Sequence, residues 1–201
     1  MDSIHFYADN AAKLAEQYDS LSFEQVHGDW LRWLPKHGSA LDIGAGSERD
    51  ALALTQLGLK VTAIEPVQEL RSIGQSKSAD VGWLDDTLPE LKQVTTAFDL
   101  ILVSAVWMHL TPEQQRQSLD RIAKLLNPNG IWVVTLRHGG FDDGRQSYPQ
   151  HENELFEWAQ DNGLELLQSA FNHDQLARQQ VRWQTLVFRL KPCDDEVIHE
   201  R

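Results

Sequence analysis

The sequence predicts an α/β fold: an open, mostly parallel sheet with helices on both faces. Three observations predict it. Short apolar runs alternate with helical patterns along most of the chain, as β-α units require. The run FDLILV at 98–103 is almost continuously apolar, as expected of a central parallel strand buried on both faces. The stretch ALDIGAGSERD at 40–50 passes from an apolar run through two glycines into a helical pattern, which reads as strand, tight turn and helix.

Residues 3–18 read as a helix, with Ala11, Ala12, Leu14, Ala15 and Tyr18 on its apolar side. Ser22 is placed to cap a second helix, and Gln25 three residues on completes a capping box. Phe23, Val26, Trp30, Trp33 and Leu34 then recur at helical spacing as core residues, and His27 and His37 need no functional role. After the first strand and its turn, a helix runs to Leu57 and ends at Gly58. Residues 61–64 form strand two, 67–73 a short helix, and 81–84 strand three, followed by Asp85 and Asp86.

Strand four, 98–103, leads into SAVWMHL. Thr111 then caps a helix with Pro112 in its first turn and Gln114 in the box position. NPNG at 127–130 is a stop-and-turn signal, and 131–136 is strand five. The connector 137–150 is long, charged and rich in glycine. A helix at 152–162 precedes two strands, 164–170 and 181–190, whose closeness in sequence suggests an antiparallel pair. One domain is expected, with a helical cap at 1–38, an α/β core at 39–190 and an acidic tail at 191–201.

A chain of 201 residues can bury a substantial core. No apolar stretch is long enough to span a membrane, and the first residues lack the regions of a signal peptide. The expectation is a cytoplasmic protein with no membrane partner. Cys193, the single cysteine, has no internal partner for a disulfide. The net charge of -12 and the scattered basic residues argue against a nucleic-acid partner. No His/Cys grouping has zinc spacing and no acidic loop has calcium spacing, so no metal is expected. The sequence leaves the oligomeric state open.

The chemistry is concentrated in 40–50 and in VTAIEP at 61–66. Gly44 and Gly46 let a ligand touch backbone, and the helix that follows offers free N–H groups. Glu65 stands at the carboxyl end of strand two, the edge where open α/β sheets bind ligands, and a carboxylate there accepts from both ribose hydroxyls. A nucleoside-containing ligand follows: a dinucleotide or S-adenosylmethionine. The dinucleotide fingerprint wants a third glycine where Arg49 stands, and Glu48 would face the pyrophosphate. The spacing from Gly46 to Glu65 still suits it, so an NAD(P)-dependent oxidoreductase stays open as an alternative.

With Asp42, Gly44, Gly46 and Glu65 in place, the stretch resembles the class I S-adenosylmethionine-dependent methyltransferases. Their first motif is roughly (D/E)-x-G-x-G, with an acid at the end of strand two. Glu48 departs from the family, which often has a glycine there. The resemblance implies a doubly wound, mostly parallel seven-stranded sheet in the order 3-2-1-4-5-7-6, with the last strand antiparallel. It implies S-adenosyl-L-methionine as cofactor and S-adenosyl-L-homocysteine as product. The turn Asp42, Gly44, Ala45 and Gly46 would hold the methionine end, and Glu65 with Pro66 the ribose. Asp85, or else Asp86, would contact the adenine amino group, and Ser104 and Val106 would lie beside the sulfonium. Tyr7 and Tyr18 would close on the methionine end from a lid helix, or simply pack. Trp107 and Met108 would wall the acceptor site or pack in the core.

The expected reaction is methyl transfer to an oxygen or nitrogen of a small molecule. His138 and His109, both on the ligand edge, are the candidate general bases. Arg137 and Arg145 would suit an acceptor carboxylate or phosphate, or pair with Asp142 and Asp143. A non-catalytic protein that binds the adenosyl ligand is the remaining alternative.

Overall fold

The computed structural model describes residues 3–176 and 178–192. Cys193 and most of the tail expected at 191–201 lie outside the described residues. Seven strands form one sheet in the order β3-β2-β1-β4-β5-β7-β6. These are β1 (Gly38–Ile43), β2 (Leu59–Ile64), β3 (Gly82–Leu84), β4 (Phe98–Val103), β5 (Leu126–His138), β6 (Leu164–His173) and β7 (Arg182–Leu190). The pairs within β1 to β5 are parallel, and β7 runs antiparallel to both β5 and β6. The order and the reversed strand are those implied by the resemblance.

Among the described residues seven α-helices accompany the sheet: α1 (Ser3–Asp9), α2 (Ala11–Asp19), α3 (Phe23–His27), α4 (Arg49–Gln56), α5 (Gln68–Lys77), α6 (Pro112–Lys124) and α7 (Glu152–Asp161). The two-residue period of the strands sorts the core into two layers. Ile101 and Val103 of β4 pack with Trp132, Leu119, Ile122 and Leu155, under α6 and α7. Leu100 and Leu102 face the other way and pack with Trp30, Ala51, Leu54 and Val133, under α3 and α4. A smaller cluster of Ala11, Ala15, Val67 and Leu70 joins α2 to α5 over one end of the sheet.

Three local expectations change. The helix expected at 3–18 is broken at Asn10, whose side-chain amide donates to Phe6 O (2.9 Å), so α1 and α2 are separate elements. The second helix stops at Gly28, and a 3-10 turn, Leu31–Trp33, carries the chain onward. NPNG does not end an element. Phe98 pairs with Leu126 and Leu100 with Ile131, so the four residues form an irregularity inside β5, with Asn129 at φ 64. Both predicted capping boxes, Ser22/Gln25 and Thr111/Gln114, are formed.

Candidate active site

The carboxyl ends of β1, β2 and β4 open into a cavity of about 620 Å³, within the range of small-molecule sites. Gly44, Ala45, Gly46, Glu65, Pro66, Asp86, Ser104, Val106, Tyr18 and His109 all line it. Thus most of the residues singled out in the sequence meet in one place.

The glycine turn is built for close approach. Gly44 sits at φ 74, and a Cβ there would stand 2.3 Å from Val106 Cγ2. The amides of Gly44 and Ala45 both donate to Ile64 O, tying the turn to the end of β2. Glu65 follows immediately. Its Oε2 accepts from Gly46 N (2.9 Å) and its Oε1 from Val67 N (2.9 Å). Burial holds its carboxyl above the usual range, and those two amides oppose the shift. Each carboxylate oxygen keeps a second lone pair for a ligand.

Three predicted residues stand apart from the cavity. Asp42 lies beneath the turn, almost fully buried, with Oδ2 unpartnered; burial and the neighbouring Asp50 charge hold its carboxyl well above the usual range. Asp85, the first choice for the adenine contact, points to solvent and pairs with Arg71 (3.1 Å). Asp86 lines the cavity instead, with its oxygens taking the amides of Thr87 (2.9 Å) and Gln93 (2.6 Å). His138 Nε2 donates to Gln184 Oε1 (2.9 Å), and its ring leans on Phe171, away from the cavity lining.

His109 does reach the cavity. Arg145 Nη1 donates to the Tyr7 hydroxyl (2.9 Å), so the oxygen is an acceptor there and its own proton points to His109 Nε2 (3.0 Å). Burial, helped by Arg145 and Arg137, depresses the His109 pKa to about 4, so the imidazole is neutral at physiological pH. Phe141 stacks on His109 (5.4 Å) and lies beneath the guanidinium groups of Arg137 and Arg145 (4.1 Å each). Neither arginine lines the cavity. Arg145 is held by Asp143, as one of the sequence readings had it, and Arg137 by the carbonyls of Gly139 and Gly140. Trp107 and Met108 are buried core residues outside the lining.

Sequence reasoning missed a buried network behind the turn. Trp30 Nε1 donates to His27 Nδ1 (3.0 Å), so His27 Nε2 carries the proton and donates to Asp50 Oδ2 (3.0 Å). Arg49 grips both oxygens of Asp50 through Nε and Nη2 (2.7 and 2.9 Å). Arg49 and Asp50 line the cavity. It also missed the end of β6 and the β6–β7 connection, where Asn172, Asp174, Leu176 and Arg178 line the cavity. Only the polarity of that loop was visible in advance.

The model of the methyltransferase domain family matches residues 41–134. An uncharacterized methyltransferase of Alkaliphilus oremlandii is 31% identical over 99 residues, covering 49% of this chain and 45% of that protein. A putative methyltransferase of Bacillus subtilis, YqeM, is 25% identical over 136 residues, covering 63% and 55%. The chain spans about half the length of these curated relatives. The crystal structure of the Burkholderia thailandensis 1,6-didemethyltoxoflavin-N1-methyltransferase, with 1,6-didemethyltoxoflavin and S-adenosylhomocysteine bound, superimposes with a TM-score of 0.73. That match covers 94% of this chain and 87% of the other, at 21% identity. The fold is therefore that of the class I methyltransferases. The matched segment runs from β1 into β5 and contains Glu65, Asp86 and His109. Among the described residues no helix is long and apolar enough to cross a membrane, and no group of His, Cys, Asp and Glu is arranged to hold a metal ion.

Proposed function

We propose that the chain binds S-adenosyl-L-methionine in this cavity and transfers its methyl group to an oxygen or nitrogen of a small molecule. The observation that carries the reading is the Glu65 carboxylate, buried, anchored by Gly46 and Val67, and facing the cavity at the end of β2. Glu65 takes the two ribose hydroxyls, with Pro66 beside it. Asp86 takes the adenine amino group. The turn Gly44–Ala45–Gly46 lies along the methionine chain over the support of Asp42. Arg49, whose Nη1 is not used by Asp50, meets the methionine carboxylate. Ser104 and Val106 flank the sulfonium, and Tyr18, against Gly46, covers it.

The donor supplies the methyl and a good leaving group, so the protein's task is positioning. Holding acceptor and methyl in line can contribute about 7–11 kcal/mol. Space for the acceptor lies on the side walled by Thr135, Thr185, Asn172 and Trp183, at the ends of β5, β6 and β7. The toxoflavin precursor in the structurally similar enzyme, a small molecule accommodated by the same fold, supports an acceptor of that size.

Calorimetry with S-adenosylhomocysteine, S-adenosylmethionine and NAD in parallel tests the reading. Binding of the adenosyl pair alone is expected. Binding of NAD alone would transfer the site to the oxidoreductase alternative, and binding of none would end the donor assignment.

A further inference from the structure

We propose that the acceptor presents a nitrogen base, neutral or cationic, and that anionic acceptors are excluded. The proposal rests on the donor reading above and narrows its oxygen-or-nitrogen acceptor to nitrogen.

The first argument is the state of the cationic side chains. Two arginines line the cavity. Arg178 gives Nε and Nη2 to the two oxygens of Asp174, whose carboxyl it helps hold at about 2 against the opposing effect of burial. Arg49 is spanned by Asp50 in the same forked geometry. Arg145 and Arg137 lie outside the lining, committed to Asp143 and to backbone carbonyls. Each guanidinium is neutralised by its forked carboxylate, so an incoming carboxylate or phosphate meets a pair of no net charge and finds only the N–H groups outside the fork. The cavity also carries Glu24 and Asp29, neither of which forms an ion pair among the described residues. Asp29 Oδ2 accepts from Asn172 Nδ2 (2.8 Å), which places that carboxylate on the acceptor side. The field there attracts a cation and repels an anion.

The second argument is the lack of a ready imidazole base, carboxylates such as those of Glu24 and Asp29 being intrinsically weaker bases. An alcohol or phenol must lose a proton as it attacks. Two histidines line the cavity. His109 has its Nε2 lone pair occupied by the Tyr7 hydroxyl, whose own oxygen is held by Arg145. His173 stands exposed at the rim, at the end of β6. His138 is outside the cavity. An amine or ring nitrogen needs no base in the transfer step. The ammonium gives its proton to water on binding, and the nitrogen lone pair forms the N–CH₃ bond. The C–S bond breaks with its electron pair going to sulfur, which leaves as a neutral thioether. The sulfonium charge passes to nitrogen, and the new ammonium can lose its proton to water.

The experiment uses the full chain saturated with S-adenosylhomocysteine and three probes of one shape: benzylamine, benzyl alcohol and benzoate. Titration calorimetry is expected to show benzylamine binding at least tenfold more tightly than the other two, with the preference shrinking in high salt. Benzoate or benzyl alcohol binding as well as benzylamine would overturn the proposal. So would failure of all three to bind a chain that binds S-adenosylhomocysteine. If S-adenosylhomocysteine itself does not bind, the donor reading fails first, and this proposal with it. Asp174→Asn releases Arg178 and is expected to raise benzoate affinity at least threefold while leaving S-adenosylhomocysteine affinity unchanged. Unchanged benzoate affinity in that variant would overturn the claim that Asp174 neutralises the wall.

Discussion

Glu65 Oε2 lies 2.9 Å from the amide nitrogen of Gly46, so the acid after β2 and the glycine turn after β1 form one hydrogen-bonded unit. A ligand that reaches either reaches both. The carboxylate is thereby oriented before any ligand arrives, which lowers the ordering cost of binding.

Replacing Glu65 by Ala is expected to weaken S-adenosylhomocysteine binding by about tenfold to a hundredfold, from the loss of charge-assisted hydrogen bonds. Glu65→Gln should lose less, because one carbonyl acceptor survives. Calorimetric affinities equal to that of the unaltered chain would remove Glu65 from the ribose site.

Gly44→Ala should cost about 1–3 kcal/mol of stability, since φ 74 disfavours a side chain and the new Cβ would strike Val106. Adding Val106→Ala should recover part of that loss, because the two changes share one contact. Urea denaturation of the single and double variants gives the answer; strictly additive costs would show that the contact is not what excludes a side chain.

Asp50→Ala should destabilise by about 3–5 kcal/mol, because it leaves the buried His27 and the forked Arg49 without their shared partner. Donor affinity should also fall, as Arg49 is freed to swing away. A variant with unaltered melting behaviour would show that the network contributes nothing to the fold.

Glu48 gives a pH dependence. It is buried at φ 90, and neither carboxylate oxygen has a hydrogen-bond partner. Burial raises its pKa to about 7, with Lys77 opposing. The folded pKa exceeds the unfolded one, so its contribution to stability is full below about pH 4.5 and is lost as pH rises through 7. Glu48→Gln does not titrate. Its stability relative to the unaltered chain should therefore improve by roughly 2–3 kcal/mol between pH 5 and pH 8. A difference that is flat across this range would show that Glu48 titrates normally.

The legible parts of this molecule were those written in short windows. The glycine turn, Glu65, the apolar β4 and both capping boxes depend on residues a few positions apart, and all were read from them. The differences between expectation and structure had longer range. Asp85 and Asp86 are adjacent and chemically alike; Arg71, fourteen residues away, draws one outward while the backbone of Thr87 and Gln93 holds the other at the cavity. His138 follows β5 on the correct edge, but its place in the sheet turns it to Gln184 of β7, a pairing set by strand order. His27 and Asp50 are separated by a helix end, a strand and a turn, and nothing local marks either as half of a pair. The break at Asn10 was not legible because helical spacing does not register a side-chain amide joining the backbone N–H at Phe6 O.

α1 contributes no fully buried side chain, yet Ser3, Ile4 and Tyr7 close one side of the cavity. Beside the packing of Tyr7 and Ala8 against the cluster that contains Val67 and Leu70, α1 is tied to the body of the protein by the Tyr7–His109 and Tyr7–Arg145 hydrogen bonds and by the Arg145 guanidinium over Phe6. Contacts of this kind weaken with ionic strength, and an apolar seam would not. The polar part of this attachment is thus a fastener at the cavity wall that is expected to loosen in salt. The lifetime of a bound molecule, more than its equilibrium occupancy, is the quantity that salt should change, and turnover limited by product departure should quicken as the fastener opens.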